Sequence, residues 1–283
     1  MPRNKPAPPR DAPPAVARQA RAQRLDAGAD AFVDAARALP EEVPVALAFN
    51  GVTHAVMLAS PGDLEDFGTG FALSEGIVAT TDEILDLDIV PRSDGIEIGM
   101  RLTARRFAAL SERRRSLAGP TGCGLCGVDS LAQANRQPPG IASEFTISEK
   151  AIRAGLQALP QAQTLNERTG AAHAAAWVDA AGNVVALRED VGRHNALDKL
   201  IGALARSSAN FSAGAALLTS RCSVELVMKA ASLGMPVLVA VSAPTARAVQ
   251  LAQACNVTLV ALARTDSMLV FAGAQRLVAG AGR

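Results

Sequence analysis

The feature that most constrains the fold is a repeating order in the C-terminal half of the chain. Short apolar runs at Ala213–Thr219, Val237–Val241 and Val257–Leu262 alternate with segments whose apolar residues recur at helical spacing. The helical stripes are Leu197, Leu200, Ile201 and Leu204, then Val224, Val227, Met228 and Ala231, with a third helix over Thr245–Ala254. A continuous apolar strand must be buried on both faces, and amphipathic helices supply the cover. The order strand–helix–strand therefore predicts an α/β layer with a largely parallel sheet. Strands at Ala171–Val178 and Val184–Leu187 extend it. A helix from Ser148, with Ile152, Leu156 and Leu159 on one side, precedes them.

Such sheets bind ligands at the carboxyl ends of their strands. That rule singles out Ser220-Arg221-Cys222-Ser223, Ser242-Ala243-Pro244-Thr245 and Ala263-Arg264-Thr265-Asp266-Ser267, each following a strand. Glu189-Asp190-Val191-Gly192-Arg193-His194-Asn195 occupies the equivalent place before the first helix of the set. Helix N-termini offer free N–H groups to phosphate, and arginine adds a permanently charged fork. A single arginine here would most often be a surface ion pair. Arg193, Arg221 and Arg264 at equivalent strand ends favour a pocket for an anionic, nucleotide-like ligand. His173 and His194, taken singly, read as core or capping histidines, and His54 is assigned no role. Cys222 and Cys255 read as small, inert core residues.

The N-terminal half reads differently. Val45–Phe49, Asn50-Gly51 and Val52–Leu58 predict a β-hairpin with a tight turn. Ser60-Pro61-Gly62-Asp63 then announces a helix, with Ser60 as N-cap and Leu64, Phe67 and Phe71 as its apolar face. Gly68 and Gly70 inside that helix each cost about 1 kcal/mol against Ala, which points to a close backbone contact. Glu65, Asp66 and Glu75 read as its solvated face. Strands at Ile84–Val90 and Gly95–Leu102 and a basic helix from Thr103 to about Arg115 follow. The expected organisation is a disordered basic tail over residues 1–28, an α+β subdomain over 29–146 and an α/β cofactor-binding subdomain over 147–283. The first subdomain ends in the Cys-x-x-Cys loop, with Gly127–Phe145 read as a long loop or linker.

Between the basic helix and that loop lies Thr121-Gly122-Cys123-Gly124-Leu125-Cys126-Gly127. The flanking glycines leave Cys123 uncrowded, and Arg113, Arg114 and Arg115 are close in sequence. Positive charge near a thiol raises its thiolate fraction. A Cys-x-x-Cys pair alone is consistent with half a zinc site, a dithiol redox pair, a nucleophilic or carrier cysteine, or a structural turn. None of the three histidines begins the His-x-Glu of a zinc deaminase, so no metal site is expected.

Composition removes other classes. A net charge of +1 and 3% aromatic residues with no Tyr argue against a nucleic-acid surface. No run approaches the roughly 20 apolar residues that span a bilayer, so no membrane partner is expected. Four cysteines among 283 residues are no disulfide framework and suit a reducing, cytoplasmic setting.

Four stretches together resemble the formate dehydrogenase accessory sulfurtransferases, the FdhD family of sulfur carriers. They are Asp63–Phe67 through Ser74–Ile77, the Thr121–Gly127 turn, His173-Ala174-Ala175-Ala176-Trp177, and Glu189-Asp190-Val191-Gly192-Arg193-His194-Asn195-Ala196-Leu197-Asp198-Lys199. The resemblance runs from about Val43 to Arg276. It implies a cytidine-deaminase-like mixed sheet with flanking helices, a smaller N-terminal α+β subdomain and a homodimer. It further implies a sulfurtransferase that takes persulfide sulfur from a cysteine desulfurase. The sulfur passes to the molybdenum (or tungsten) bis-molybdopterin guanine dinucleotide cofactor, bound as substrate, before that cofactor enters formate dehydrogenase. Cys123 would carry the persulfide and Cys126 would assist. The cofactor-binding segment falls on Leu262, Ala263, Arg264, Thr265, Asp266 and Ser267, with Arg221, Ser242, Arg193 and His194 completing the expected set. The family pattern is broken at Asp266-Ser267, where a Gly-Arg-like pair is usual.

Overall fold

The computed structural model describes residues 13–117, 138–264 and 266–278. The expected reactive turn with Cys123 and Cys126, and Thr265, lie outside the described residues.

The strands are β1 (Ala17–Arg24), β2 (Val33–Pro40), β3 (Val43–Phe49), β4 (Val52–Ala59), β5 (Ile84–Arg92), β6 (Gly95–Leu102), β7 (Ile147–Ser148), β8 (His173–Val178), β9 (Val184–Asp190), β10 (Ala215–Leu218), β11 (Val237–Ala240), β12 (Thr258–Ala261), β13 (Leu269–Ala272) and β14 (Leu277–Val278). The helices are α1 (Leu64–Ser74), α2 (Ala104–Leu117), α3 (Glu149–Ala162), α4 (Thr164–Thr169), α5 (Arg193–Arg206), α6 (Val224–Ser232) and α7 (Ala246–Ala254).

The main sheet has the order β13-β12-β11-β10-β8-β9. Its middle, β10-β11-β12, is parallel, as the strand–helix alternation requires. Its flanks are not: β8 runs antiparallel to β10, β9 to β8, and β13 to β12. The sheet is mixed, as the resemblance implies, but not largely parallel: two of its pairings are parallel and three antiparallel. The reason is connection length, since a parallel neighbour needs a crossover of a dozen or more residues. β8 and β9 are joined instead by a tight turn in which the Asp179 carboxylate accepts from the N–H of Ala181 and of Asn183, both at 2.9 Å. β13 returns just as abruptly through a turn closed by Arg264 N–H donating to Ser267 O at 2.8 Å.

Alternate residues of the main sheet serve two apolar layers. Ala175, Trp177, Ala216, Leu218, Leu238, Ala240, Leu259 and Ala261 face α5, α6 and α7. Ala176, Val178, Ala215, Leu217, Val237, Val239 and Val260 face the other way, against Ile147 and α3. A second sheet, β4-β3-β6-β5, packs on α1. Its hairpin turns at Asn50 and Gly51 with φ of 49° and 79°, the left-handed pair that Asn-Gly favours.

Helix α1 sits between that sheet and α5. A Cβ on Gly70 would lie 1.7 Å from the Asp198 carbonyl oxygen, and one on Gly202 would lie 1.9 Å from that of Asp66. The two helices meet backbone to backbone at Gly70, as expected there, whereas a Cβ on Gly68 would meet the Ile98 side chain at 2.7 Å instead. Side chains from both sides of the 146/147 boundary share one core cluster as a result.

Two other expectations change. Residues 17–24, expected within a disordered tail, form β1, paired along its length with β2. Arg18 pairs with Glu41, and Arg37 donates to Thr169 O at 3.2 Å, so the ribbon is tied to the body by cations that composition alone assigns to solvent. Ser60 is not the N-cap of α1, which starts after Asp63 in a left-handed conformation (φ 52°). Ser60 instead holds the α5 approach: its N–H donates to Asp190 Oδ2 (2.9 Å), its Oγ accepts from Val191 N–H (3.2 Å) and its carbonyl from Lys199 Nζ (2.9 Å).

Candidate functional site

One edge of the main sheet collects the carboxyl ends of β9, β10, β11 and β12 and the amino end of antiparallel β8. The parallel ladder continues past the strands and stitches the loops together. Val241 N–H donates to Leu218 O (2.9 Å), Ala263 N–H to Ala240 O (3.1 Å) and Leu262 N–H to Ser242 O (3.2 Å). Cys222 N–H donates to Ala243 O (3.3 Å), and Thr245 N–H to Cys222 O (3.0 Å). Arg221, Ser242 and Arg264 thus emerge along a single rim, Arg221 and Arg264 exposed and Ser242 half-buried. The turn after β12 is steadied from α3, where Arg153 pairs with Glu149 and donates to the carbonyls of Arg264 (3.3 Å) and Asp266 (3.4 Å). Leu262 enters it in the left-handed region, at φ 50°.

The other end of the rim is built by Asp190. Its carboxylate is fully buried and takes Lys199 Nζ at 2.7 Å, Gly192 N–H at 2.7 Å and Asn195 Nδ2 at 3.0 Å. This web accounts for part of the dense motif from Glu189 to Lys199: Asp190, Asn195 and Lys199 hold the loop that leads into Arg193. Glu189 turns the other way and accepts from the N–H groups of Leu165 (2.7 Å) and Asn166 (2.8 Å) at the start of α4.

Arg193 opens α5 beside His173, which lies across from Asp190 in the β8–β9 ladder. Burial, then the cations Arg193 and Arg221, lower the His173 pKa against the pull of Asp190. His173, which taken singly reads as a core or capping histidine, is half-buried among the rim's charges. Arg193 Nε and Ser223 Oγ are buried and find no hydrogen-bond partner among the described residues. Ser223 is the N-cap residue of α6, yet its hydroxyl makes no capping bond.

His194, expected in the cofactor-binding set, is turned toward α6. Its pKa is lowered to about 4, first by burial and then by Arg193 and Lys229. At neutral pH the ring is uncharged, and its Nε2 lies 3.1 Å from a Glu225 carboxylate oxygen. One turn deeper, Lys229 Nζ contacts both Asp198 oxygens at 3.0 Å, Glu75 at 2.7 Å and Ser74 Oγ at 2.9 Å. Burial pulls the Lys229 pKa down, but Asp198 and Glu75 more than offset it and raise it. Burial likewise pushes Glu75 up, and Lys229, Arg113 and His54 outweigh it and hold it low. Glu75 is thus no ordinary solvated acid. A lysine inside the apolar stripe of α6 was the signal that this polar cluster existed. Arg113 donates to the Glu75 carbonyl at 3.1 Å, which places the last turns of α2, just upstream of the expected reactive turn, beside this cluster. The Cys222 thiol is pushed up to about 12 by burial, so it is a poor nucleophile. Among the described residues no group of His, Cys, Asp and Glu could hold a metal ion, and no helix is long and apolar enough to cross a membrane.

Comparison with known proteins gives one consistent result. The model of the FdhD/NarQ family matches residues 40–278. The chain is 52% identical over 237 residues to the sulfur carrier protein FdhD of Cupriavidus necator, covering 84% of this chain and 82% of that one. It is 48% identical over 237 residues to the sulfur carrier protein FdhD of Bordetella petrii, covering 84% and 85%. Its fold is similar to the crystal structure of a candidate formate dehydrogenase accessory protein from Desulfotalea psychrophila. The TM-score is 0.72 at 22% identity, covering 93% of this chain and 100% of that one.

Proposed function

The chain belongs to the FdhD/NarQ family, and on that premise we propose that it is a sulfur carrier required for formate dehydrogenase activity. The observation that carries this reading is the extent of the match to relatives named as sulfur carriers, at about half identity over 84% of the chain. The Cys-x-x-Cys turn lies inside the matched span.

In the proposed reaction the Cys123 thiolate attacks the terminal sulfur of a persulfide on a cysteine desulfurase. The desulfurase S–S bond breaks, its cysteine leaves as thiolate, and Cys123 becomes a persulfide. No external oxidant or reductant is needed, because the sulfane sulfur keeps its oxidation level. Cys126 assists by holding or relaying that sulfur. The acceptor is the molybdenum (or tungsten) bis-molybdopterin guanine dinucleotide cofactor, bound as substrate before it enters formate dehydrogenase. The charge of the rim suits such an anion: Arg193, Arg221 and Arg264 are cations at strand ends, and among the described residues the buried Nε of Arg193 has no hydrogen-bond partner. Leu262, Ala263, Asp266, Ser267 and Ser242 would shape the ligand's seat there, with Thr265 between them. His194, expected in this set, has its ring beside Glu225 on α6. We place the carrier in the cytoplasm as a homodimer on a cytidine-deaminase-like fold.

The test is intact mass after incubation with a cysteine desulfurase and cysteine, for wild type, Cys123→Ala and Cys126→Ala. A reducible gain of about one sulfur atom that disappears in Cys123→Ala supports the carrier. If no variant gains sulfur while all three sustain formate dehydrogenase in cells, the protein is a non-catalytic chaperone for the cofactor or apo-enzyme.

A further inference from the structure

The ribbon of β1 and β2 is a sheet of its own, paired with no strand of the other sheets. The contacts that anchor it lie in its lower half. Arg18 pairs with Glu41, Glu41 N–H donates to Val16 O at 2.9 Å, and Arg37 donates to Thr169 O at 3.2 Å. Beyond them every residue from Arg21 to Asp34 is exposed. Eight paired residues in each strand, at about 3.4 Å apiece, make this an arm about 25 Å long.

The far end of the arm is apolar. Phe32 is 64% exposed, Val33 54% and Leu25 53%, and Phe32 is the most exposed large apolar side chain among the described residues. The Arg24–Val33 pair is the last of the ladder, so Leu25 and Phe32 flank the mouth of the hairpin loop. Asp30 and Asp34 add carboxylates at this end, where Arg24 is paired with Asp26 at 3.2 Å. A two-stranded hairpin is marginal in water by itself. A cluster of exposed apolar side chains rimmed by polar ones marks a surface that another protein covers.

We propose that this arm docks the carrier onto the enzyme it serves: Leu25, Phe32 and Val33 enter an apolar pocket on that enzyme, and cations at the pocket's rim meet Asp30 and Asp34. The proposal rests on the reading of the chain as a sulfur carrier for formate dehydrogenase and adds where the acceptor is met. The choice of occupant follows from where the family match begins. The family model matches residues 40–278, so all of the arm except its last residue lies outside it. The likeness to the Desulfotalea psychrophila protein covers 93% of the chain at 22% identity and so reaches into the first 39 residues. The shared outline thus extends past the shared sequence, as in a scaffold whose surface residues are set chain by chain. A sulfur donor or a second copy would be met by surfaces that relatives have in common, whereas the enzyme served is the partner that differs between chains. The carboxylates at the tip disfavour an anionic membrane surface and nucleic acid, both of which repel them.

The test is biolayer interferometry between the full chain and the catalytic subunit of formate dehydrogenase from the same organism, purified without its cofactor. Leu25→Ser combined with Phe32→Ser is expected to weaken binding by about tenfold or more, the factor that 1.4 kcal/mol represents. Asp30→Asn combined with Asp34→Asn is expected to weaken it by about threefold, and by less at high salt. All four side chains are exposed, so both double variants keep the fold. Val185→Ser, 61% exposed on β9, is the control and should leave binding unchanged. Loading of Cys123 by a cysteine desulfurase and the sedimentation mass should be the same for every variant. Undetectable binding of wild type at micromolar concentrations overturns the proposal, as does an affinity indifferent to Leu25 and Phe32. Loss of desulfurase loading in the tip variants overturns it by assigning the tip to the sulfur donor, and a fall in mass does so by assigning it to a second copy. Loading is measured without formate dehydrogenase, so a wild type that takes up no sulfur fails the carrier reading and not the docking arm.

Discussion

Replacing Lys229 by Met removes one charge from the polar cluster under α1 while keeping a long unbranched side chain in place. The wild-type ammonium contacts both Asp198 oxygens at 3.0 Å, and Asp198 and Lys229 have only 2% and 9% of their side chains exposed. Met fills nearly the same volume, so the cavity contribution is small. What remains is Asp198 with Ser74 Oγ as its donor at 2.6 Å, and Glu75 nearby as a like charge. Breaking a buried pair from one side costs about 3–5 kcal/mol, against a usual total stability of about 5–15 kcal/mol. Burial raises the Asp198 pKa even with Lys229 present, and removing the cation raises it further. A carboxyl whose folded pKa exceeds its unfolded value loses stability as pH rises through the folded value. The deficit of Lys229→Met should therefore be largest at neutral pH and shrink on acidification. Urea unfolding at pH 7.5 and pH 5, with the m-value checked for constancy, reads both effects. Asp198→Asn in the Lys229→Met background removes the stranded charge and should recover about half of the loss or more. A cost under about 1 kcal/mol with no dependence on pH would refute the reasoning, since it would mean that water reaches the pair.

Two further outcomes follow from the same core. Gly70→Ala places a methyl 1.7 Å from the Asp198 carbonyl, and backbone cannot step aside as a side chain can. It should cost about 3 kcal/mol or more, although Ala is the better helix former by about 1 kcal/mol. Gly68→Ala meets the Ile98 side chain instead and should cost less, so an equal or smaller drop in Tm for Gly70→Ala would contradict the backbone contact. His194, held neutral with a pKa of about 4, makes the unfolded chain the stronger proton binder between about 4 and 6.5. Wild type should lose up to ~3 kcal/mol as pH falls through that window, at about 1.36 kcal/mol per pH unit. His194→Gln should remove most of that slope in unfolding free energy measured against pH.

The central α/β layer was legible because its information is local. Apolar strands of uniform character and helices at 3.6-residue spacing announce themselves within windows of ten residues, and the strand-end rule then locates the rim. The Asn50-Gly51 hairpin was legible for the same reason, since its left-handed turn depends on two adjacent residues. What failed depended on partners distant in sequence. Ser60 has every local mark of an N-cap, but Asp190, 130 residues away, claims its N–H. The β1 segment has a tail's composition, and its pairing with β2, the Arg18–Glu41 contact and the Arg37 bond to Thr169 order the ribbon.

The candidate site divides along the same line. Sequence alone determined that Arg193, Arg221 and Arg264 stand at strand ends and that a glycine-flanked Cys-x-x-Cys follows a basic helix. It did so because topology fixes strand ends and chemistry fixes residue type. Only the tertiary structure decided that His173 belongs with Arg193 and Arg221, and that His194 turns away to Glu225. Only the structure brings Lys229, Glu75 and Asp198 together from three helices. Those choices rest on desolvation and on charges brought close by folding, and neither exists in the unfolded chain, where water screens each group from its eventual neighbours.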